Sequence, residues 1–260
     1  EDRAQKTLNR FFQGPVNMLD TSRNYAMGES EKRIGKAIKE NGGWPNGFLL
    51  STKLDRNMDT LVLDKNRVRE SFEESLKTLN VDSVDILFLH DPEYAKDITD
   101  ITKKDGAMDE LFKIKNEGLA KAACVAMCKV DIMFPLLKDW DFDVIINHNR
   151  YTLINREANE MYDYASSKNI AIFNAAPYAG GVLAKGPDNF KKVTYQDATE
   201  EKLAPAREFE KICKKHNVEL GAAALQFSLR DNRITSTICG VTSVESIEKN
   251  LAWANAEISG

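Results

Sequence analysis

Seven short and almost uninterrupted apolar runs constrain this chain more than any other feature: VNMLDT (16–21), FLLSTKL (48–54), VDILFLHD (84–91), AKAACVAM (120–127), DVIINHN (143–149), IAIFNAAP (170–177) and TSTICG (235–240). They lack the apolar–polar alternation of a half-exposed strand. Strands buried on both faces of a parallel sheet have this pattern. Segments of helical period separate them. ESEKRIGKAIKE (29–40) sets Ile34 and Ile38 four residues apart, and NRVRESFEESLKTL (66–79) repeats Val68, Phe72, Leu76 and Leu79 on one face. AMDELFKIKNEG (107–118) stops at Gly118, and EANEMYDYASSKN (157–169) and APAREFEKICKKHN (204–217) follow the same rule. Parallel neighbours need crossover connections, so the alternation predicts βαβ units.

The alternation continues through 260 residues with no internal repeat or low-complexity linker. It predicts one α/β domain over 1–260, a closed (β/α)8 TIM barrel rather than an open doubly wound sheet. No G-x-G-x-x-G follows an early strand, which argues against a dinucleotide fold of the open kind. The count of strands is seven, and the chain opens on a helical stretch, EDRAQKTLNRFF. A first strand is therefore apparently missing from these residues, and about 15–40 further residues are expected before Glu1, enough for a strand and its entry hairpin.

Charge excludes some functions. With 36 Lys+Arg against 40 Asp+Glu the net charge is −4, without the basic stripe of a nucleic-acid binder. No apolar run approaches the length of a membrane span, and no signal peptide is visible. Four cysteines in a chain of this size make no disulfide framework, so a cytoplasmic protein is expected. Cys124 and Cys128, spaced C-x3-C, suit buried strand positions better than a metal site, and no metal is expected. His216 stands near a helix end, where a cation suits the dipole. Trp44, Tyr94 and Tyr178 lie on loops, to line a pocket or simply to pack; packing is favoured for Trp44 and a pocket for Tyr178.

In such a barrel, chemistry sits at the C-terminal ends of the strands. Asp20 ends the first run with Tyr25 on the loop beyond it, Lys53 ends the second, and His90 the third. Singly, each has a plain structural reading: a helix cap, a rim charge, a satisfied core histidine. Together they form a device for moving a proton on or off an oxygen. An ammonium beside a phenol favours the phenolate, a carboxylate fixes the ammonium, and an imidazole bonds the substrate oxygen.

Asp20 and Tyr25 five residues apart, Lys53 in STKL and His90 in LFLHDP resemble the signature of the aldo-keto reductases. GESEKRIGKAI (28–38), VRESFEESLKTLNVDSVDILFLHDP (68–92) and SVESIEKNLAWA (243–254) are also similar to that family, and the likeness runs from about residue 14 to 255. It implies an NAD(P)-dependent oxidoreductase with Tyr25 as proton donor or acceptor, Lys53 and Asp20 tuning it, and His90 orienting the substrate. NRYTLINRE (149–157) and NAAPYAGGVLAKGP (174–187) resemble the branch that oxidises free aldoses at C1, of the L-fucose, L-galactose, D-arabinose and D-threo-aldose dehydrogenase type. The implied cofactor-side positions are Cys128, His148, Asn149, Ala176, Tyr178, Gly240, Thr242, Ser246, Lys249 and Asn250. Cys128 stands where the family has an asparagine, His148 or Asn149 near an expected glutamine, and ICG replaces the common Ile-Pro-Gly. Ser246 lies where NADP users carry an arginine, so NAD is expected in preference to NADP. Aldehyde or ketone reduction, or a non-catalytic nicotinamide-binding regulatory subunit, are the alternatives. A small-molecule substrate, an aldose or other carbonyl compound, is implied, with no nucleic-acid or membrane partner, in a monomer or small homo-oligomer.

Overall fold

A computed structural model describes residues 2–258. It divides into two compact units, one taking the chain to Met127 together with Trp140–Ile145, the other taking Cys128–Asp139 and the chain from Ile146 on.

The first unit opens with α1 (Asp2–Phe11) and continues with β1 (Met18–Asp20), α2 (Glu29–Glu40), β2 (Leu49–Leu54), α3 (Lys65–Leu79), β3 (Val84–His90), the single turn α4 (Thr99–Thr102), α5 (Ala107–Asn116) and β4 (Ala120–Met127). β1, β2, β3 and β4 lie side by side in that order, all parallel. The expected periodicities hold: Ile34 and Ile38 of α2 and Val68, Phe72 and Leu79 of α3 are buried, with Leu76 half-buried. Asp64 caps α3 by accepting from the Arg67 N–H, and Asn80 ends it in the left-handed region (φ 60°). Trp44 packs as loop packing would have it, its indole N–H donating to the Phe48 carbonyl (2.9 Å) beside the rings of Phe11 and Phe12.

α2 and α3 approach so closely that a Cβ on Gly35 would meet the Thr78 carbonyl oxygen at 2.0 Å. Overpacking of a rigid contact typically destabilises by about 1–3 kcal/mol. Gly35→Ala is therefore expected to lower the unfolding free energy measured in urea by that much, and a loss below about 0.5 kcal/mol, the range of surface changes, would show that the helices part freely.

The second unit holds α6 (Val130–Asp139), β5 (Val144–His148, whose first two residues belong to the first unit), α7 (Asn159–Ser167), β6 (Ala171–Ala175), α8 (Val182–Lys185), a small antiparallel hairpin of β7 (Lys192–Val193) and β8 (Gln196–Asp197), α9 (Glu200–Lys215), α10 (Leu220–Leu229), β9 (Ile234–Ile238) and α11 (Val244–Ala254). β6 pairs with β9 in parallel. The sequence reading passed over α6 and α10. Pro135 inside α6 reads as a breaker, and LGAAALQFSL is apolar on every side, with no polar stripe to reveal a period.

Candidate active site

Register builds the site in the first unit. Asp20 is the Cα partner of Ser51, and Lys53 that of Phe88. Side chains alternate along a strand, so Ser51, Lys53 and, one step past the strand end, Asp55 share a face, as do Phe88 and His90. Lys53 is buried with 2 % of its side chain exposed, and its Nζ lies 2.5 Å from Asp20 Oδ2. It also donates to the Thr21 carbonyl (2.7 Å), while the Ser51 hydroxyl donates to Asp20 Oδ1 (2.8 Å). Burial works against the ammonium, but Asp20 and then Tyr25 outweigh it, and the Lys53 pKa is pushed up. Lys53 stays charged.

Tyr25 stands on the loop after β1. Its ring centroid is 4.7 Å from Lys53 Nζ and 5.7 Å from that of His90, edge to face. The next three residues, Ala26, Met27 and Gly28, all have positive φ (51°, 55° and 88°). Two non-glycine residues in that region cost about 1–2 kcal/mol each. Such strain persists only where neighbours fix it; Arg23 anchors the loop to α3 through Glu74 (3.2 Å). The phenol's pKa is raised above its ordinary 10, first by burial, with Lys53 opposing and Asp20 and Asp91 adding to the rise. This corrects the expectation that the Lys53 ammonium lowers the phenol's pKa: burial outweighs it. The residue still exposes 41 % of its surface, so the desolvation is partial.

His90 is held by a residue that the sequence reading missed. Its Nδ1 lies 2.6 Å from Asp55 Oδ1. Asp55 Oδ2 accepts from the Ser22 hydroxyl (2.5 Å) and the Asn24 N–H (3.0 Å). Burial would raise the Asp55 pKa, but His90, Ser22 and the Asn24 N–H together hold it below the usual carboxylate value. The signal was available: Asp55 follows Lys53 by two and so shares its face.

Among the described residues the second unit carries the cofactor-side positions and joins some of them. The Tyr178 hydroxyl donates to Asn250 Oδ1 (2.6 Å), and its ring packs edge-on to Trp253. Ser246 is a capping residue: its Oγ accepts from the Thr242 and Ser243 N–H groups (3.1 Å each), and its own N–H donates to Ser243 Oγ (3.3 Å). Lys249 rests its ammonium 4.5 Å from the Trp253 ring centroid. A Cβ on Gly240 would meet nothing within 4 Å, which leaves the backbone there open to a ligand. Ala176, with φ 55°, donates its N–H to the Ile238 carbonyl (3.2 Å). His148 Nδ1 and Asn149 Nδ2 are 3.2 Å apart. Among the described residues nothing donates to the buried Asn149 Oδ1, an acceptor suited to an amide N–H such as that of a carboxamide. Cys128 is buried, and its carbonyl accepts from Asn147 (3.2 Å), a buried amide that the sequence reading passed over. Tyr94, on the loop after β3, lies under Arg56 (5.6 Å to the ring centroid), and His216 caps α9.

The arrangement suits proton transfer at an oxygen, and the profile of the aldo/keto reductase family matches residues 1–260. The chain belongs to the aldo/keto reductase family. It is 30 % identical over 256 residues to L-galactose dehydrogenase of Arabidopsis thaliana, covering 97 % of this chain and 78 % of that protein. To D-threo-aldose 1-dehydrogenase of a Pseudomonas species it is 28 % identical, with 99 % and 85 % covered. A solved aldo-keto reductase from Bacillus halodurans in its holo form superposes with a TM-score of 0.77 at 19 % identity, over 98 % of this chain and 83 % of that one. The fold is thus of the (β/α)8 barrel type, seven of its parallel strands lying among the described residues, and this aldo/keto reductase is an NAD(P)-dependent oxidoreductase acting on a small molecule. Among the described residues no helix is long and apolar enough to cross a membrane.

Proposed function

We propose that this aldo/keto reductase oxidises a free aldose at C1, converting the cyclic hemiacetal to its lactone in the cytoplasm as a single-domain monomer or small homo-oligomer. The observation that carries the reading is the buried Asp20–Lys53 pair set against Tyr25 and His90, with the two aldose-dehydrogenase relatives giving the substrate class. Tyr25 is the group that exchanges a proton with the reacting oxygen. Lys53 favours the phenolate when that proton leaves, and Asp20 keeps Lys53 in place and charged. His90 orients the substrate oxygens.

The bound nicotinamide supplies the hydride acceptor. Asn149, Asn250 and Tyr178, with the open backbone at Gly240 and the Thr242–Ser246 cap, are the residues that would hold it; Cys128, His148, Ala176 and Lys249 complete the set proposed from the sequence. Carbonyl reduction by the same residues is the second reading, since a phenol held above its ordinary pKa is present in its protonated form at neutral pH.

NAD is preferred over NADP. A 2′-phosphate needs fixed cations, best an arginine. At the start of α11 the N–H groups of Thr242 and Ser243 are already taken by Ser246, Glu245 lies in the first turn, and Lys249 is drawn onto Trp253. A panel of aldoses, pyridoxal and simple aldehydes, each with NAD and with NADP, followed by nicotinamide absorbance, tests both statements. Aldose-dependent reduction of NAD at higher kcat/KM than of NADP is expected. Turnover confined to aldehyde reduction would overturn the substrate reading, and NADP efficiency equal to or above that with NAD would overturn the cofactor preference.

A further inference from the structure

We propose that Asp55 is a positioning residue that fixes His90 in the Nδ1–H tautomer, so that Nε2 accepts a hydrogen bond from a substrate hydroxyl next to the reacting one. The proposal rests on the aldose reading above for its second half only. Which nitrogen of a neutral imidazole carries the proton is set by the partner of the other. Asp55 Oδ1 lies 2.6 Å from Nδ1, inside a buried network in which Ser22 and Asn24 both donate to Oδ2. An ionised carboxylate only accepts, and against the cost of burial His90, and then Ser22 and Asn24, hold the Asp55 pKa below its ordinary value. Nδ1 therefore carries a hydrogen, and in the neutral imidazole Nε2 is the lone pair. The Asp91 carboxylate oxygen stands 3.8 Å from Nε2, beyond hydrogen-bond length.

The reacting oxygen gains charge as its proton leaves and needs donors, which an Nε2 lone pair is not. The hydroxyl of a vicinal diol or sugar is a donor. With the Tyr25 and His90 rings 5.7 Å apart, edge to face, the two side chains can serve neighbouring oxygens, Tyr25 at C1–OH and His90 at C2–OH. A substrate lacking that second hydroxyl leaves Nε2 without that partner. A site built to bond a hydroxyl discriminates strongly against the analogue lacking it.

Asp55→Asn reverses this polarity without removing atoms. Two donors converge on Oδ2, so the amide oxygen takes that place and the amide NH2 faces Nδ1. Nδ1 must then accept, and the hydrogen moves to Nε2. Misplacing the tautomer is the recognised effect of the same exchange in a Ser-His-Asp triad.

The test labels histidine with 15N. Only three histidines are present, and His90→Asn identifies the signal of interest. The expected result is a neutral His90 protonated on Nδ1 in the wild type and on Nε2 in Asp55→Asn. An aldose is then compared with its 2-deoxy analogue, using NAD as oxidant. The wild type should lose at least about tenfold in kcat/KM on the deoxy sugar, the size of one lost hydrogen bond. A hydroxyl can also accept, so Asp55→Asn is read by its spectrum: the hydrogen should move to Nε2 while its Kd for NAD stays within about twofold of wild type, which a merely structural role would not produce. A wild-type spectrum with hydrogen on Nε2, or a deoxy sugar used as well as its parent, overturns the proposal. Should Asp55→Asn fail to fold, those two wild-type measurements still decide it. Absence of turnover with every aldose would sink the oxidation reading and the hydroxyl half with it, while the spectrum still decides the tautomer.

Discussion

Tyr25→Phe is expected to lower turnover by roughly 10²–10⁴-fold, the usual weight of a positioned proton-transfer group, while the Kd for the cofactor changes little. The change removes one oxygen and leaves the ring in its contacts with Lys53 and His90. The pH dependence follows from the direction of the pKa shift. The Tyr25 pKa is raised above 10, so the free protein holds the phenol protonated throughout the neutral range. If oxidation draws on the phenolate, its rate climbs with pH across the neutral and alkaline range. Reduction, which draws on the phenol, stays level over the same range and falls only when the phenol ionises. Stopped-flow measurement of both directions between pH 6 and pH 10 checks this. A Tyr25→Phe enzyme with near wild-type turnover on its best substrate would show that another group moves the proton.

Lys53→Met should cost about 3–5 kcal/mol of stability, because it leaves a buried carboxylate without its counter-ion. Asp20 has only 9 % of its side chain exposed, and among the described residues the Ser51 hydroxyl is the side chain that would remain to bond it. Activity should fall with the stability, since the phenol loses the one cation beside it. The double change Lys53→Met with Asp20→Leu separates the effects. It should recover much of the stability, as buried pairs replaced by apolar residues often do, but none of the activity. Urea unfolding of both variants at pH 7 measures this. A single variant as stable as wild type would mean that water reaches Asp20.

Much of this was legible in the sequence, for physical reasons. Continuous apolar runs betray strands covered on both faces, and all seven were found to within a few residues, β4 to the residue. The amphipathic helices α2 and α3 were equally visible, because one buried face forces a period on the chain. α10 was not, since a segment buried on all sides has no face to alternate. The placement of Lys53 beside Asp20 follows from strand order and the two-residue repeat. Asp55 escaped because it lies just past the strand end, where alternation is not assumed to continue. The role of Ser246 as a cap, and the contact of Lys249 with Trp253, depend on rotamers that no spacing reveals.

The measurement closest to the central claim follows one hydrogen. An aldose carrying deuterium at C1 is incubated with the protein and NAD, and both products are examined by NMR and mass spectrometry. Oxidation at C1 predicts deuterium on the reduced nicotinamide, one per lactone formed, with formation slowed to the Tyr25→Phe level in that variant. Deuterium released to water, or the sugar recovered unchanged while a simple aldehyde is reduced by NADH in a parallel incubation, would contradict it.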